Sequence, residues 1–480
     1  MADIVLIYPK TGTNLKRVIA PPHSLLAIAA LPDDDGYNVK IIDQRVEPNF
    51  SRILEDELYK RPYVVGISTM TGMQIKYAMD IAKEVRRLSP TPIVWGGKHP
   101  SLLPQQVLDS GLADDVCVGE GDIQFYKKFK EKQLCSGVWE TSEYVDMEEL
   151  LETPWHLIDI EQYIKEDMYL PNSPRTLDVG ESSRGCSFRC GFCSQANTKW
   201  RPISAEQTIE RVTRLVKEHN LTGVWFRDDE FYINIDRAVK ICEGLMPLNI
   251  KWYTSGTRID LFNKTPLDAC KIYKRGGASV LKFGAESGSD RILGMINKGF
   301  KRDDILKANL KCKQVGITPA YNFIGGFPTQ TFEEYDETID LIVQLKEDNP
   351  SARFEVIGTF APMPGTPLFD MAIEYGLKPP EKLEGWINWR FDEDDTSGTR
   401  NPWYSQQERD WIGNIVYLSA LANGLDTMIE SYNGSIMGKL MRLAYSLPKK
   451  YLDYKFEKKQ YRSMPEMGFI KWLRKQVSYR

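Results

Sequence analysis

Histidine is scarce in this chain, with four in 480 residues against eight cysteines. A metal centre built mainly on imidazole is therefore disfavoured, and any transition-metal chemistry must lean on thiolate. Eight cysteines are too few to staple a chain of this length, yet three fall between Cys186 and Cys193, which in a reducing compartment points to metal. No stretch reaches about 18 uninterrupted apolar residues. The nearest, around Trp411–Leu425, is broken by Asn414 and Asn423, so a packed helix is expected there and a membrane span is disfavoured. The N-terminus, Met1-Ala-Asp-Ile-Val-Leu-Ile-Tyr, has no basic region ahead of its short apolar run. It reads as a buried strand and not as a signal peptide, so a cytoplasmic location is expected. Excess positive charge is missing as well: a formal net charge of -4 gives no whole-molecule attraction for nucleic acid, and no such partner is expected. Internal repeats and low-complexity tracts are absent.

What is present is a chain too long for one core, since single cores stop growing near about 250–300 residues. From Asp3 to about Gly121, short apolar runs alternate with helix-period segments, the pattern of a parallel sheet with helices on both faces. Strands are predicted at Ile4–Ile7, Val39–Ile42, Val64–Ile67, Ile93–Trp95 and Asp115–Val118, in a flavodoxin-like (Rossmann-type) order. Between the third and fourth, Tyr77, Ala78, Ile81, Ala82, Val85 and Leu88 recur at helical spacing and should face the sheet. In such sheets ligands sit beyond the carboxyl ends of the strands, which here carry Ser68-Thr69, Gly96-Gly97-Lys98-His99 and Gly119-Glu120-Gly121. A second series of strand and helix units follows, with strands near Leu177–Gly180, Gly223–Arg227, Lys251–Ser255, Ser279–Gly284, Thr318–Gly325 and Phe354–Phe360, which suits a partial (β/α)6 barrel. The expected division of this α/β chain is a first domain over 1–135, a connector over 136–175, the barrel over 176–376 and a mainly helical C-terminal region over 377–480.

The cysteines Cys186, Cys190 and Cys193 stand at C-x3-C-x2-C spacing directly after the first barrel strand. Three thiolates on a short loop can hold three corners of an iron–sulfur cubane and leave the fourth iron open, whereas electron-transfer clusters ordinarily take four cysteines. The alternative is a zinc knuckle, which needs a fourth ligand; no His or Cys follows at zinc-finger spacing. Further polar and glycine motifs fall at strand ends, where a barrel enzyme places its site. They are Phe226-Arg227-Asp228-Asp229-Glu230-Phe231, then Arg258, then Gly284-Ala285-Glu286-Ser287-Gly288-Ser289, then Gly325-Gly326-Phe327-Pro328 and Pro362-Met363-Pro364-Gly365-Thr366-Pro367. Each alone is a turn or cap motif; their order behind the cysteine loop gives them weight.

The cysteine loop, with Phe192 just before its last cysteine, resembles the signature of the radical S-adenosylmethionine (SAM) superfamily. That resemblance implies a [4Fe-4S] cluster on Cys186, Cys190 and Cys193, an open iron that chelates SAM, and cofactor contacts from Phe192, Asp228, Asp229, Arg258, Glu286, Ser287, Gly326 and Pro364. The elements Gly96-Gly97-Lys98-His99-Pro100 and Val118-Gly119-Glu120-Gly121 are similar to the cobalamin-binding domains that precede such barrels. On that resemblance Ser68, Thr69, Gly96, Gly97, His99, Gly119, Glu120 and Gly121 bind cobalamin. A nucleotide or flavin site of the same fold is the alternative. The Asp-x-His-x-x-Gly motif that supplies a cobalt-ligating histidine is missing, so cobalamin bound here should lack a histidine below cobalt.

The implied function is C-methylation of an unactivated, sp3 carbon of a lipid, small molecule or protein side chain, as in relatives that modify methyl-coenzyme M reductase. An electron donor such as flavodoxin or ferredoxin is implied too. The rivals are relatives that close or rearrange rings, including the anaerobic magnesium-protoporphyrin ester cyclases, and a B12 sensor without turnover. Trp386, Trp389, Trp403 and Tyr404 either line an apolar substrate path or belong to the core, and Cys117, Cys135, Cys242, Cys270 and Cys312 are expected to be small buried residues. The basic, aromatic segment Ser446–Arg480 reads as a closing helix or as a weak contact for an anionic membrane surface or acidic protein.

Overall fold

The computed structural model describes residues 2–11, 20–141, 144–167, 169–389, 398–431 and 450–465. The first sheet is six-stranded, all parallel, in the order β2-β1-β3-β4-β5-β6. Its strands are β1 (Ile4–Tyr8), β2 (Val39–Asp43), β3 (Val64–Ser68), β4 (Ile93–Gly96), β5 (Asp115–Val118) and β6 (Gly137–Glu140). The continuous apolar runs of β1 and β3 follow from helices on both faces. Ile4 and Leu6 face the helices His23–Asp34 and Gly121–Lys130, while Val5 and Ile7 face the helix Met73–Leu88. That helix buries Ile75, Ala78, Met79, Ile81, Ala82 and Val85, whereas Tyr77 and Leu88 stay half-buried at the margins of the expected stripe.

The sixth strand lies in the stretch expected to be connector. Its start is fixed by the fully buried Asp115 carboxylate, which accepts hydrogen bonds from the backbone N–H groups of Cys135, Ser136 and Gly137 and from Trp139 Nε1. The rest of the connector crosses back to β2, where Tyr163 Oη donates to Asp43 at 2.9 Å.

The second sheet is open, six-stranded and parallel, in the order β14-β13-β12-β11-β10-β7. It comprises β7 (Thr176–Gly180), β10 (Gly223–Phe226), β11 (Lys251–Thr257), β12 (Ala278–Glu286), β13 (Thr318–Gly325) and β14 (Arg353–Thr359), with a short antiparallel pair β8 (Ser183–Arg184) and β9 (Arg201–Pro202) after β7. Helix starts follow local caps: Ser204 Oγ accepts from Gln207 N, and Thr331 with Glu334 forms a capping box. One side of the sheet packs on these helices through Leu281, Phe283, Tyr321 and Phe323. On the other side Tyr169 and Leu170 of the connector pack against Tyr253, Val280 and Ala320.

The described part of the C-terminal region packs on both preceding domains. Trp386 and Trp389 are buried in the core of the first domain, against the helix Met73–Leu88, and their indole N–H groups donate to Gln106 and to the Pro362 carbonyl. Tyr404 is buried in the barrel core and Trp403 is half-buried between clusters, so the core alternative holds for these aromatics. The helix Gln406–Ser431 covers the edge strand β14, with Ser419 Oγ accepting from Ile357 N at 3.0 Å. Of the basic segment, the described part docks on the barrel helix Phe332–Asp348 through Tyr461 Oη to Asp336 and Lys459 to Asp340, with Tyr451 and Tyr454 exposed. Phe469, Ile470, Trp472 and Leu473 lie outside the described residues, as does the acidic run Asp392–Asp395. Among the described residues no helix is long and apolar enough to cross a membrane.

Candidate active site

The cysteine loop leaves the second sheet through β8 and returns through β9. Its ends are tied: Cys186 N donates to Thr198 Oγ1 at 2.9 Å, Thr198 N donates to Cys186 O at 3.0 Å, and Asn197 N donates to Phe188 O at 2.7 Å. Gly185 has φ +85° and packs so tightly that a Cβ would come within 2.2 Å of Lys199 O, so no other residue fits before Cys186. The three thiols are free, and burial pushes Cys186 up to about 11 and Cys193 upward. Among the described residues no three His, Cys, Asp or Glu side chains converge as a single ion requires. Three thiolates on one pre-tied loop match a cubane whose fourth iron stays open, whereas a zinc knuckle takes four protein ligands.

Several residues expected at SAM have protein partners. Asp228, fully buried, accepts from Ser182 N, Ser182 Oγ and Ser183 Oγ at 3.0, 2.8 and 2.5 Å, which uses both its oxygens in fixing the turn after β7. Arg258 donates to Cys190 Sγ at 3.2 Å and to Asp260 at 2.9 Å, and its guanidinium lies 3.7 Å from the Phe188 ring centroid. It braces the loop from the end of β11. Ser287 Oγ accepts from Ser289 N at 3.1 Å in a buried turn. Asp229 is half-buried and accepts from Gly185 N at 3.0 Å.

Glu286 has φ 64°, a left-handed conformation that a non-glycine residue adopts at a cost of about 1–3 kcal/mol. Its carboxylate pairs with Lys298 Nζ at 3.1 Å, both side chains being about nine-tenths buried. Gly284 makes room for it, since a Cβ there would lie 2.4 Å from Glu286 Oε1. Phe192 anchors the loop against Phe327, at 6.5 Å between ring centroids, in a cluster with Phe360 and Leu368. Gly326, at φ +83°, and the buried Pro364 sit on the backbone turns after β13 and β14.

The carboxyl end of the first sheet faces this loop. Gly97, at φ +97°, sits where a Cβ would approach Thr69 O at 2.8 Å, and Gly119 where it would meet Thr141 Oγ1 at 2.3 Å. Ser68 Oγ is 2.9 Å from Ser24 Oγ. Thr69 Oγ1 and His99 Nε2 are buried with no hydrogen-bond partner among the described residues, two groups at adjacent strand ends that fit a bound polar ligand. His99 Nδ1 is 3.1 Å from Thr71 Oγ1, and burial lowers its pKa to about 4, so the imidazole is neutral. Gly96 and Gly121 lie on either side of Cys117 at the same edge.

Glu120 has protein partners as well: its carboxylate takes Arg201, from which Nη1 donates at 2.8 Å, and Arg184 at 3.7 Å. Sequence reasoning passed over the cross-domain contacts. Arg184 donates to both oxygens of Asp122 at 2.9 and 3.0 Å, Lys98 Nζ donates to Ser194 O and Gln195 Oε1 at 3.0 and 2.9 Å, and His23 Nε2 is 3.0 Å from Asp178 Oδ1. On the inner side of the second sheet, Arg227 pairs with Asp178 at 2.6 Å and stacks on Trp225, and Tyr253 Oη donates to Asp167 at 3.0 Å. Burial raises Asp167 to about 6 and lowers Lys282 to about 8. The charges on β7, β10 and β12 share one side of the sheet because side chains alternate along a strand, a pattern short runs only hint at. Of the other cysteines, Cys117, Cys242, Cys270 and Cys312 are buried as expected and Cys135 is exposed.

Residues 181–342 match the model of the radical SAM superfamily, and residues 17–126 match that of the B12 binding domain. The chain is 32% identical over 78% of its length to the uncharacterized methyltransferase PH0819 of Pyrococcus horikoshii, covering 84% of that protein. It is 24% identical over 76% of its length to the anaerobic magnesium-protoporphyrin IX monomethyl ester cyclase of Cereibacter sphaeroides, covering 63% of it. In fold it is similar to the cobalamin-dependent SAM radical enzyme OxsB, solved with aqua-cobalamin and SAM bound, with a TM-score of 0.73 at 18% identity over 99% of this chain and 75% of that one. With a thiol loop suited to a cluster facing a sheet edge suited to a large polar ligand, the chain belongs to the B12-binding radical SAM family, as an enzyme of the cobalamin-dependent methyltransferase type that uses a [4Fe-4S] cluster, SAM and cobalamin.

Proposed function

We propose that the enzyme transfers a methyl group to an unactivated, sp3 carbon. The observation that carries this reading is the contact of the two modules at their ligand-facing ends, where Lys98 of the first sheet reaches Ser194 O on the cysteine loop at 3.0 Å. When bound, the cluster with SAM supplies a 5′-deoxyadenosyl radical and cobalamin supplies the methyl group. Cys186, Cys190 and Cys193 would hold the cluster. Asp229, Glu286, Gly326 and Pro364 would lie along SAM, and Ser68, Thr69, Gly96, Gly97, His99, Gly119 and Gly121 along cobalamin. Asp228, Arg258, Ser287 and Glu120 position those groups through the bonds described above.

The chain's own task is orientation, because holding reacting centres in near-attack geometry replaces a bimolecular encounter. Phe192, Phe327 and Phe360 keep water from that side of the loop. The substrate is a lipid, a small molecule or a protein side chain, the reductant a flavodoxin or ferredoxin, and the location the cytoplasm. A carbon without an acidic proton cannot be made nucleophilic at neutral pH by a tuned side chain, so two SAM molecules should be consumed per methyl added. With SAM deuterated in its methyl group, label should enter the product, with one S-adenosylhomocysteine and one 5′-deoxyadenosine formed. A product of unchanged carbon count, with 5′-deoxyadenosine and no S-adenosylhomocysteine, would replace this reading by ring closure or rearrangement.

A further inference from the structure

The first domain grips the cysteine loop at two places. At the stem, Asp122 takes both Nη atoms of Arg184, the residue two before Cys186, and Glu120 takes Arg201, which pairs with Arg184 across the β8–β9 ladder. At the far end, Lys98 Nζ donates to Ser194 O and to Gln195 Oε1 at 3.0 and 2.9 Å. Gln195 in turn donates its backbone N–H to Cys193 Sγ at 3.4 Å. Asp229, beside Lys98, accepts from Gly185 N at 3.0 Å, so Lys98 lies close to groups that hold both ends of the loop. The charged neighbours of the ammonium are Cys193 and Asp229. Lys98 projects here because Gly97, with φ +97°, lets the backbone turn against Thr69 directly after β4.

We propose that Lys98 is a positioning residue of the iron–sulfur site: it fixes the Cys193-Ser194-Gln195 turn and sets a half-buried positive charge beside a cluster ligand, raising the reduction potential of the cluster. The inference rests on the cluster assignment. Reduction adds one negative charge to the cluster, which a nearby cation favours, and the potential of such a cluster follows net charge and hydrogen bonds to its sulfurs. Lys98 supplies the first directly and the second through Gln195. Because it belongs to the cobalamin-binding domain, electron entry at the cluster depends on that domain being seated.

The test is a redox titration of the reconstituted holoenzyme, followed by the electron paramagnetic resonance signal of the reduced cluster, for the native chain, Lys98→Gln and Lys98→Arg. Glutamine retains an N–H donor for Ser194 O and removes the charge; arginine retains the charge. At a fixed potential the ratio of reduced to oxidised cluster should fall about tenfold in Lys98→Gln, which for a one-electron couple is about 59 mV, and stay within about twofold in Lys98→Arg. An unchanged ratio in Lys98→Gln, or an equal fall in Lys98→Arg, overturns the proposal. If Lys98→Gln does not retain iron, Lys98→Arg still decides, since it must keep both iron content and potential. A native chain that takes up no four-iron cluster would strike the cluster assignment instead.

Discussion

His99 should make the first domain lose stability as pH falls from about 6.5 toward 4. The ring is 1% exposed, 5.7 Å from Trp386 between ring centroids, and its pKa falls from 6.5 to about 4 through burial. The unfolded chain therefore binds a proton between about pH 6.5 and pH 4 that the folded chain refuses, and stability rises with pH across that window. The contribution is complete above pH 6.5 and lost as pH falls toward 4, at about 1.4 kcal/mol per pH unit, so about 2 kcal/mol disappears by pH 5. Urea unfolding of the cobalamin-free chain at pH 7, 6 and 5 should show this loss. His99→Asn, which offers an amide near the Nδ1 position toward Thr71, should lose about 2 kcal/mol less over the same interval. Trp386→Ala should cost about 3–5 kcal/mol at pH 7 as a truncated buried indole, and should flatten the slope by admitting water to the imidazole. Parallel pH profiles for the native chain and His99→Asn would refute the reasoning.

Replacing Cys186, Cys190 and Cys193 together by Ala should abolish both the visible absorbance of the reconstituted cluster and SAM cleavage, while stoichiometric zinc on four protein ligands would contradict the cluster. Arg184→Met strands Asp122, whose side chain is 7% exposed, and should lower the thermal midpoint and open the domain junction to proteolysis. Removing one partner of a buried pair costs about 3–5 kcal/mol, and partial exposure of Arg184 brings the expectation to about 2–3. At low salt the chain should sediment weakly with anionic vesicles and not with neutral ones if its basic C-terminal segment is a membrane contact; equal sedimentation removes that reading.

The strands were readable because a parallel sheet covered on both faces writes itself as short apolar runs, as in Ile4–Ile7 and Val64–Ile67. The cysteine loop was readable because its spacing is local. The strand Gly137–Glu140 was not: it is four residues long and owes its place to Asp115, some 20 residues earlier in the chain, not to its own pattern. The protein partners of the strand-end polar residues were hidden for a similar reason. Nothing in the string Arg227-Asp228-Asp229 shows that Ser182 and Ser183 donate to the first of the two carboxylates. For Trp386 and Trp389 the choice between substrate path and core was not legible, because their partners on the helix Met73–Leu88 are about 300 residues away in sequence.

The contacts that join the two modules explain why the chain needs both in one polypeptide. Besides the apolar packing of Phe369, Trp386 and Trp389 on the first domain, those nearest the cysteine loop are polar and charged: Arg184 with Asp122, Arg201 with Glu120, Lys98 with the Ser194 carbonyl, His23 with Asp178. Apolar surfaces tolerate sliding, because their attraction is non-directional. Paired hydrogen bonds between a guanidinium and a carboxylate fix both distance and angle, and half-buried ones resist separation because each partner would be left poorly solvated. Two of these contacts bind the cysteine loop itself, and His23 binds β7, the strand that leads into it. The interface therefore fixes where the cysteine loop stands relative to the end of the first sheet, as the proposed methyl transfer would require.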